Sequence, residues 1–439
     1  MGRSRTASPL EESLGMSYYA TDRQGIGGIL RQIPEDFIVE EIVPEGILVN
    51  LALESLGRGD GKYTLIVMKK ISRDLLPTVS MLSKLLSAKV SFAGIKDRRA
   101  VTYQLISADR PLADGDLPKA LHNIELKAVG KSRWPVNPGD LRGNHFIITI
   151  RKIEPDALKL ESVAPLDWIP NFFGHQRFGT ARPNTHKVGR MLVRKDYEGA
   201  VRELLAEPYD GEPNWAYRAR SDLKATWDLE KALRTFPAGL TYERHVIARL
   251  VKSSGDYAGA LTALPTPLLR LFVDSYQSYL FNKVLSARMG ESDLCEVGTG
   301  DFIAPLDRWG SPSRPIKCLP AIIEKLRRMV AAKRAVPMMR VVGYKTDFVG
   351  SDGNIYVELL GKEGVTIGKF REVMGIPFEG TLRAVISRPI AYELLEKSPD
   401  DLNPSKFKVT IATSLPKSCY ATVLLREIMR PSDPGASGF

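Results

Sequence analysis

Residues 91–104 read SFAGIKDRRAVTYQ, and in this stretch one carboxylate, Asp97, stands among Lys96, Arg98 and Arg99. Cations within a few ångströms favour the charged form of an acid, so Asp97 is expected to be ionised at neutral pH. An ionised carboxylate can act as a nucleophile, a base or a counter-charge to a developing cation. Gly94 lets the chain turn sharply and lets a substrate backbone come close. The same residues also fit a solvated hairpin turn of mixed charge.

Two other stretches carry compatible chemistry. LRGNHFIITI (141–150) sets the amide of Asn144 two residues from the ring of Phe146. In a strand those side chains share a face, so an amide can read a base edge while a ring stacks beneath it. Phe146 equally fits a core position, and Gly143-Asn144 is a common turn pair. NFFGHQRFGTARPNTHKVGR (171–190) interleaves three phenylalanines with Arg177, Arg182, Lys187 and Arg190. Rings for bases and guanidinium groups for phosphates suit RNA, although a core-packing turn running into a basic surface helix has the same composition. Upstream, PEDFIVEEI places Phe37 three residues after Pro34, with Arg31 just before it.

The elements that must position these groups read as sheet with helices laid on it. EDFIVEEI (35–42), KYTLIVMKK (62–70), residues 90–93, AVTYQLIS (100–107) and NHFIITIRKI (144–153) have strand-like apolar density. SRDLLPTVSMLSKLLSAK (72–89) is expected as an amphipathic helix capped by Ser72 or Asp74. From about Arg182 to Met289 helical patterns dominate. DYEGAVREL and DYAGALTAL within that region resemble each other through shared aspartate capping chemistry. Short strands, glycines and prolines return from Asp301 to Ile376. A helix (AYELLEK), a strand (FKVTIATSL, 407–415) and a last helix (CYATVLLREIMR, 419–430) close the pattern. A tail that resembles the first third suggests one sheet domain interrupted by a large, mainly helical insertion.

At 439 residues the chain calls for two or three domains. Lys and Arg outnumber Asp and Glu, 62 to 51, for a net charge of +11. That excess favours a phosphate-rich partner, nucleic acid or an acidic membrane surface. No run of about 18 uncharged apolar residues marks a membrane helix, and the first 28 residues lack the apolar core of a secretion signal. Ser4–Ser13 reads as a poorly ordered tail. Three separated cysteines (Cys295, Cys318, Cys419) and five scattered histidines give no metal-ligand spacing, which points to a reducing cytoplasm and chemistry without a metal. The glycine-rich GRGDGK (57–62) lacks the spacing of a phosphate-binding loop.

GIKDRRAVTYQ resembles the signature of the TruD family of tRNA pseudouridine synthases, with Gly94, Lys96, Asp97, Ala100, Thr102 and Gln104 in register. Five further stretches resemble family motifs in order: PEDFIVEE, RGNHFIITIR, PNFFGHQRFG, SYQSYLFNKVLSAR (275–288) and LPKSCYATVLLREI (415–428). The resemblance implies a cofactor-free isomerase that converts uridine to pseudouridine in tRNA, typically at position 13 of the D-stem. It implies an α+β fold: a mixed or antiparallel pseudouridine-synthase sheet with flanking helices, split in sequence by the family's insertion domain. The boundaries expected are a flexible tail over 1–28, a catalytic domain over 29–168 and 388–439, and an insertion over 169–387. By resemblance Asp97 is the catalytic aspartate and Arg31 its basic companion, where the family frequently carries Lys. Phe146 stacks on the target base, Asn144 lies beside it, Lys96 stands in the motif, and Phe37 and Tyr420 line the pocket. Ser418-Cys419 departs from the usual Gly-Ser, which bears on the turn that places Tyr420. Arg177, Arg182 and Lys187 are the expected RNA contacts. No cofactor, metal or membrane is expected, and a monomer is. A competing reading is a non-catalytic RNA-binding protein or RNA chaperone on the same fold; an intact Asp97 and Arg31 argue for the enzyme.

Overall fold

The computed structural model describes residues 3–57 and 59–439, so part of GRGDGK and the first two positions lie outside the described residues. A short helix α1 (Pro9–Ser13) comes first. The strands β1 (Phe37–Ile42), β2 (Tyr63–Ile71), β3 (Val90–Phe92), β4 (Val101–Ala108), β5 (Ile124–Ser132) and β6 (Gly143–Ile153) follow, with helix α2 (Leu75–Leu85) between β2 and β3. After β7 (Ile169–Pro170) the chain turns helical: α3 (Thr185–Arg194), α4 (Tyr197–Ala206), α5 (Asn214–Thr226), α6 (Leu229–Thr235), α7 (Thr241–Lys252), α8 (Tyr257–Leu261) and α9 (Thr266–Glu291). Next come β8 (Phe302–Pro305), β9 (Ile316–Lys317), α10 (Ile323–Ala331), β10 (Ala335–Val341), α11 (Gly353–Glu363) and β11 (Thr381–Ala384). The last elements are β12 (Ile386–Ser387), β13 (Ile390–Pro399), β14 (Phe407–Pro416) and α12 (Ala421–Met429).

The main sheet runs β13-β14-β6-β1-β4-β2-β5, with β3 beside β4. Among the described residues only β1 and β4 pair in parallel within it, and the connection between them passes through β2 and α2, as a parallel pair requires a crossover. The fold is thus mixed α+β. Strand alternation sets the burial: Phe146, Ile148 and Ile150 of β6 are closed to solvent, and their odd-numbered neighbours 145–149 are partly open. Likewise Ile66 and Met68 of β2 join Leu75, Val79 and Leu82 of α2 in one cluster, and Leu65 and Val67 join another. Each such fully buried side chain contributes about 1.5–3 kcal/mol. Between β6 and β13, the second sheet (β11-β10-β8-β9) and the helices assemble around α9. Helix α3 crosses α9 so closely at Gly189 that an added Cβ would sit 2.0 Å from the Phe272 carbonyl oxygen.

Several expectations need correction. The segment expected as a flexible tail is packed: Glu11, Leu14 and Met16 are fully buried. Glu11 accepts from the buried Arg426 Nε at 2.9 Å and from Thr6 Oγ1 at 2.6 Å, and Arg426 also donates to the Met16 carbonyl at 2.6 Å. A polar stretch reads as tail because its partner lies more than 400 residues away. AYELLEK is strand β13, paired antiparallel with β14 through two register shifts, with Tyr392 donating to the Val163 carbonyl at 2.7 Å. The sheet's need for a partner to β14 overrides helix propensity. The short strands expected from Asp301 to Ile376 are present as β8, β9 and β10, but helices α10 and α11 stand among them, and β5 and α5 were not legible. The aspartate caps are present: Asp196 accepts from Gly199 N at 2.9 Å and Asp256 from Gly259 N at 2.8 Å. Asp74 holds the cap position of α2 without a side-chain hydrogen bond.

Candidate active site

The loop between β3 and β4 is clamped from several sides. Gln104, on β4, donates its amide to the Gly94 carbonyl at 2.7 Å. Lys96 turns inward to a 2.9 Å ion pair with Glu41 of β1, both side chains closed to solvent. Lys70, from the end of β2, donates to the Asp97 carbonyl at 3.0 Å. With its backbone held, the Asp97 side chain stands 32% exposed and accepts from Arg31 Nη2 at 2.9 Å. The solvated mixed-charge turn is therefore the wrong picture for Lys96 and Asp97. Gly94 itself lacks a left-handed φ, and a Cβ there would meet only ordinary contacts, the nearest at 3.4 Å. Its glycine is not demanded by the turn.

Arg31 is built in firmly. Its guanidinium lies 4.0 Å over the Phe37 ring centroid, and its Nη1 donates to the Gly438 carbonyl at 2.9 Å. Burial draws its pKa below the ordinary arginine value, and the Asp97 charge opposes that shift. The backbone at Arg31 has φ 56°, a left-handed conformation that L residues rarely adopt. Burial likewise lowers Lys70 to about 8, with Asp97 the largest opposing influence.

Asp97 opens into a cleft of about 180 Å³ lined by Phe37, Ile95, Lys96, Asn144, Phe146 and Tyr420 among others. At ~30 Å³ per water this equals about six waters, the scale of one pyrimidine ring. Asn144 and Phe146 reach the cleft from one face of β6, and Phe37 meets the Phe146 ring edge-on at 6.1 Å. Asn144 Oδ1 and Thr422 Oγ1 are buried without a hydrogen-bond partner in the protein. Buried polar atoms are normally satisfied, so such orphans on a cleft wall are ready to meet a polar ligand. Tyr420 caps α12 and packs near Phe173 (6.4 Å) and the guanidinium of Arg383 (5.8 Å). Ser418 carries φ 67°, a left-handed conformation that glycine adopts most readily, and the serine accepts that backbone in the turn before α12.

The expected RNA contacts divide. Arg177 lines a larger neighbouring cavity of about 820 Å³, which touches the first cleft at Cys419. Arg182 is turned into the protein: its Nη2 donates to the carbonyls of Glu203, Leu204 and Glu207 at 3.0–3.2 Å and closes the end of α4. Lys187 is exposed but bonds the Tyr209 hydroxyl at 2.9 Å and lines neither cavity. Residues that sequence reasoning missed include Glu41, Lys70, Gln176, Thr422 and Gly438. Gln176 and Thr422 lie inside motifs quoted above, whereas Lys70 and Gly438 carry no local signal. Among the described residues no group of three or more His, Cys, Asp or Glu is placed to hold a metal ion, and no helix is long and apolar enough to cross a membrane.

The chain is similar over nearly its whole length to known proteins. A family model described as tRNA pseudouridine synthase D (TruD) matches residues 13–428. A Methanosarcina barkeri protein described as "Probable tRNA pseudouridine synthase D" is 35% identical, covering 96% of this chain and 97% of its own. A Pyrobaculum neutrophilum protein of the same description is 34% identical over 99% of each chain. A crystal structure from Methanosarcina mazei bearing the TruD name superposes with a TM-score of 0.79 at 34% identity, covering 98% of this chain and 99% of that one. By sequence and fold the chain belongs to the tRNA pseudouridine synthase D (TruD) family.

Proposed function

We propose that this protein isomerises uridine to pseudouridine in tRNA, at uridine 13 of the D-stem, with Asp97 as the catalytic carboxylate. The observation that carries the reading is the 2.9 Å Arg31–Asp97 pair beside a cleft walled by Phe146 and by the unpartnered Asn144 Oδ1. In this reading residues 29–168 and 388–439 form the catalytic domain, 169–387 the insertion, and the protein works as a cytoplasmic monomer without a cofactor.

The chemistry suits the groups present. The N1–C1′ bond breaks, the uracil turns while held, and C5 bonds to C1′; C5 gives up its proton and N1 regains one, with no net redox change. A carboxylate serves this sequence by adding to the sugar or base, or by removing a sugar proton, and it is regenerated at the end. Arg31 gives the Asp97 carboxylate a counter-charge at 2.9 Å as the site is closed to water. Phe146 braces the ring, and Asn144 meets its polar edge. A stacked uridine must be everted to reach the cleft, at a cost of a few kcal/mol that base–ring stacking offsets.

The test compares wild type with Asp97→Asn on unmodified tRNA, with pseudouridine mapped by carbodiimide-stop primer extension. Wild type is expected to modify uridine 13, and the variant to lose about 10²–10⁴-fold or more in rate. Its tRNA affinity should be kept, because phosphate contacts supply most of it. A wild type silent on every uridine, with all other functions unchanged in Asp97→Asn, would sink the enzyme reading in favour of an RNA-binding protein or chaperone.

A further inference from the structure

Ile95 is 71% exposed, although it is a large β-branched apolar residue in a clamped loop. It belongs to none of the hydrophobic clusters and is not among the residues packed against them. Its neighbours leave it little freedom. The Gly94 carbonyl is held by Gln104, and Lys96 is anchored on Glu41. Ile95 therefore stands out at the rim of the cleft, which it lines together with Asp97. Two residues of chain separate their Cα atoms by at most about 7 Å. Arg98 and Arg99, three and four residues further along the chain, are exposed, Arg98 standing 3.7 Å from the exposed Asp74, and these cations suit a phosphate backbone. A single exposed isoleucine is ordinary on a protein surface; one carried by a loop anchored on either side of it, two residues from Asp97 at the mouth of a base-sized cleft, is not.

We propose that Ile95 is a wedge: it enters the RNA stack and fills the gap that the target uridine leaves when it swings into the cleft. The inference rests on the reading of the cleft as a uridine site. An everted nucleotide leaves an apolar gap next to its own sugar, and an aliphatic side chain fills such gaps in bent or unstacked nucleic acids. By any of the routes above, Asp97 must act on the everted nucleotide, so the wedge and the acid have to share one cleft rim, as they do. Branching at Cβ confines the Ile95 side chain to few rotamers, so it meets the stack already shaped. The loop thus divides its work among three successive side chains: Ile95 outward to RNA, Lys96 inward to the sheet, Asp97 into the cleft.

The experiment uses full-length protein and tRNA carrying 2-aminopurine next to the target uridine. Wild-type binding should raise the fluorescence as the neighbouring base unstacks. Ile95→Ala should lose most of that rise and slow single-turnover pseudouridine formation about 10–50-fold. Its tRNA affinity should stay within about threefold, since phosphate contacts are untouched, and its melting temperature should match wild type. Ile95→Val, which keeps the branch at Cβ, should restore most of both the fluorescence rise and the rate. If Ile95→Ala equals wild type in rate and fluorescence, or loses affinity and rate in step, the wedge is overturned while the uridine reading stands. If wild type forms no pseudouridine in any tRNA, the uridine reading falls, and the wedge with it.

Discussion

Arg31 and Gly438, 407 positions apart in the chain, are joined by a 2.9 Å hydrogen bond that holds the guanidinium on which Asp97 rests. The same guanidinium spends one face on Phe37. Three constraints therefore act on one planar group: an acid, a backbone carbonyl and a ring.

From this arrangement Arg31→Lys should be more than a conservative change. A lysine keeps the charge but not the fork that reaches Asp97 and Gly438 together. Single-turnover assays should show a loss of about tenfold for Arg31→Lys and about 10²–10³-fold for Arg31→Ala. Filter-binding affinity for tRNA should change little in either. A rate in Arg31→Ala equal to wild type would deny the guanidinium any part in the reaction.

Lys70 makes the site sensitive to alkaline pH. Burial lowers its pKa from the ordinary 10.5 to about 8, against the raising influence of Asp97 and Asp74. Above about pH 8 the charge under the Asp97 loop is lost, so turnover should fall on the alkaline side with a midpoint near 8. Lys70→Arg should carry that limb to higher pH. The stability effect has the opposite sense. Between about 8 and 10.5 the unfolded chain binds the proton that the folded chain has released, so this group makes the fold more stable as pH rises through that window. Below pH 8 both states hold the proton and the cost of burying the charge is fully present. A pH–rate profile together with denaturant midpoints from pH 7 to 10 checks both signs.

The packed amino-terminal segment predicts a stability effect. Glu11→Ala removes a carboxylate from beside the fully buried Arg426. Breaking such a pair costs about 3 kcal/mol, and a lower urea midpoint should report it. A midpoint unchanged by the substitution would mean that the segment contributes nothing to the fold.

Arg182 and Arg177 should separate in opposite ways. Arg182→Ala unties three carbonyls at the end of α4 and should destabilise the protein by about 1.5–3 kcal/mol. The tRNA affinity of the folded fraction should be unaltered. Arg177→Ala should weaken tRNA binding and lower its salt dependence, because Arg177 lines the cavity that adjoins the cleft. Salt titrations of both variants decide between these roles.

Much of the site was legible because its chemistry is local. Asp97 within GIKDRR, and Asn144 with Phe146 at strand spacing, declare themselves by residue type and period, and the structure brings all three to one cleft. Arg182 misled for the same reason: a guanidinium beside aromatics reads as RNA-facing whether it meets phosphates or the end of a helix. AYELLEK misled because seven residues with helix propensity say nothing of the sheet edge they must complete. Lys70 was illegible as a site residue, since strand β2 looks the same whether or not its last lysine passes under the Asp97 loop.

By itself the sequence determined the α+β character, the interruption of one sheet by a helical stretch, and the choice of Asp97 as the candidate acid, since periodicity, composition and short motifs are properties of neighbours along the chain. Only the tertiary structure decided that Arg31 is held by Gly438, that Glu11 anchors the amino-terminal segment on Arg426, and that Ile95 is left in the open. Those outcomes depend on which distant segments share the low-dielectric interior, where an unpaired charge or polar group must find a partner whatever its distance along the chain.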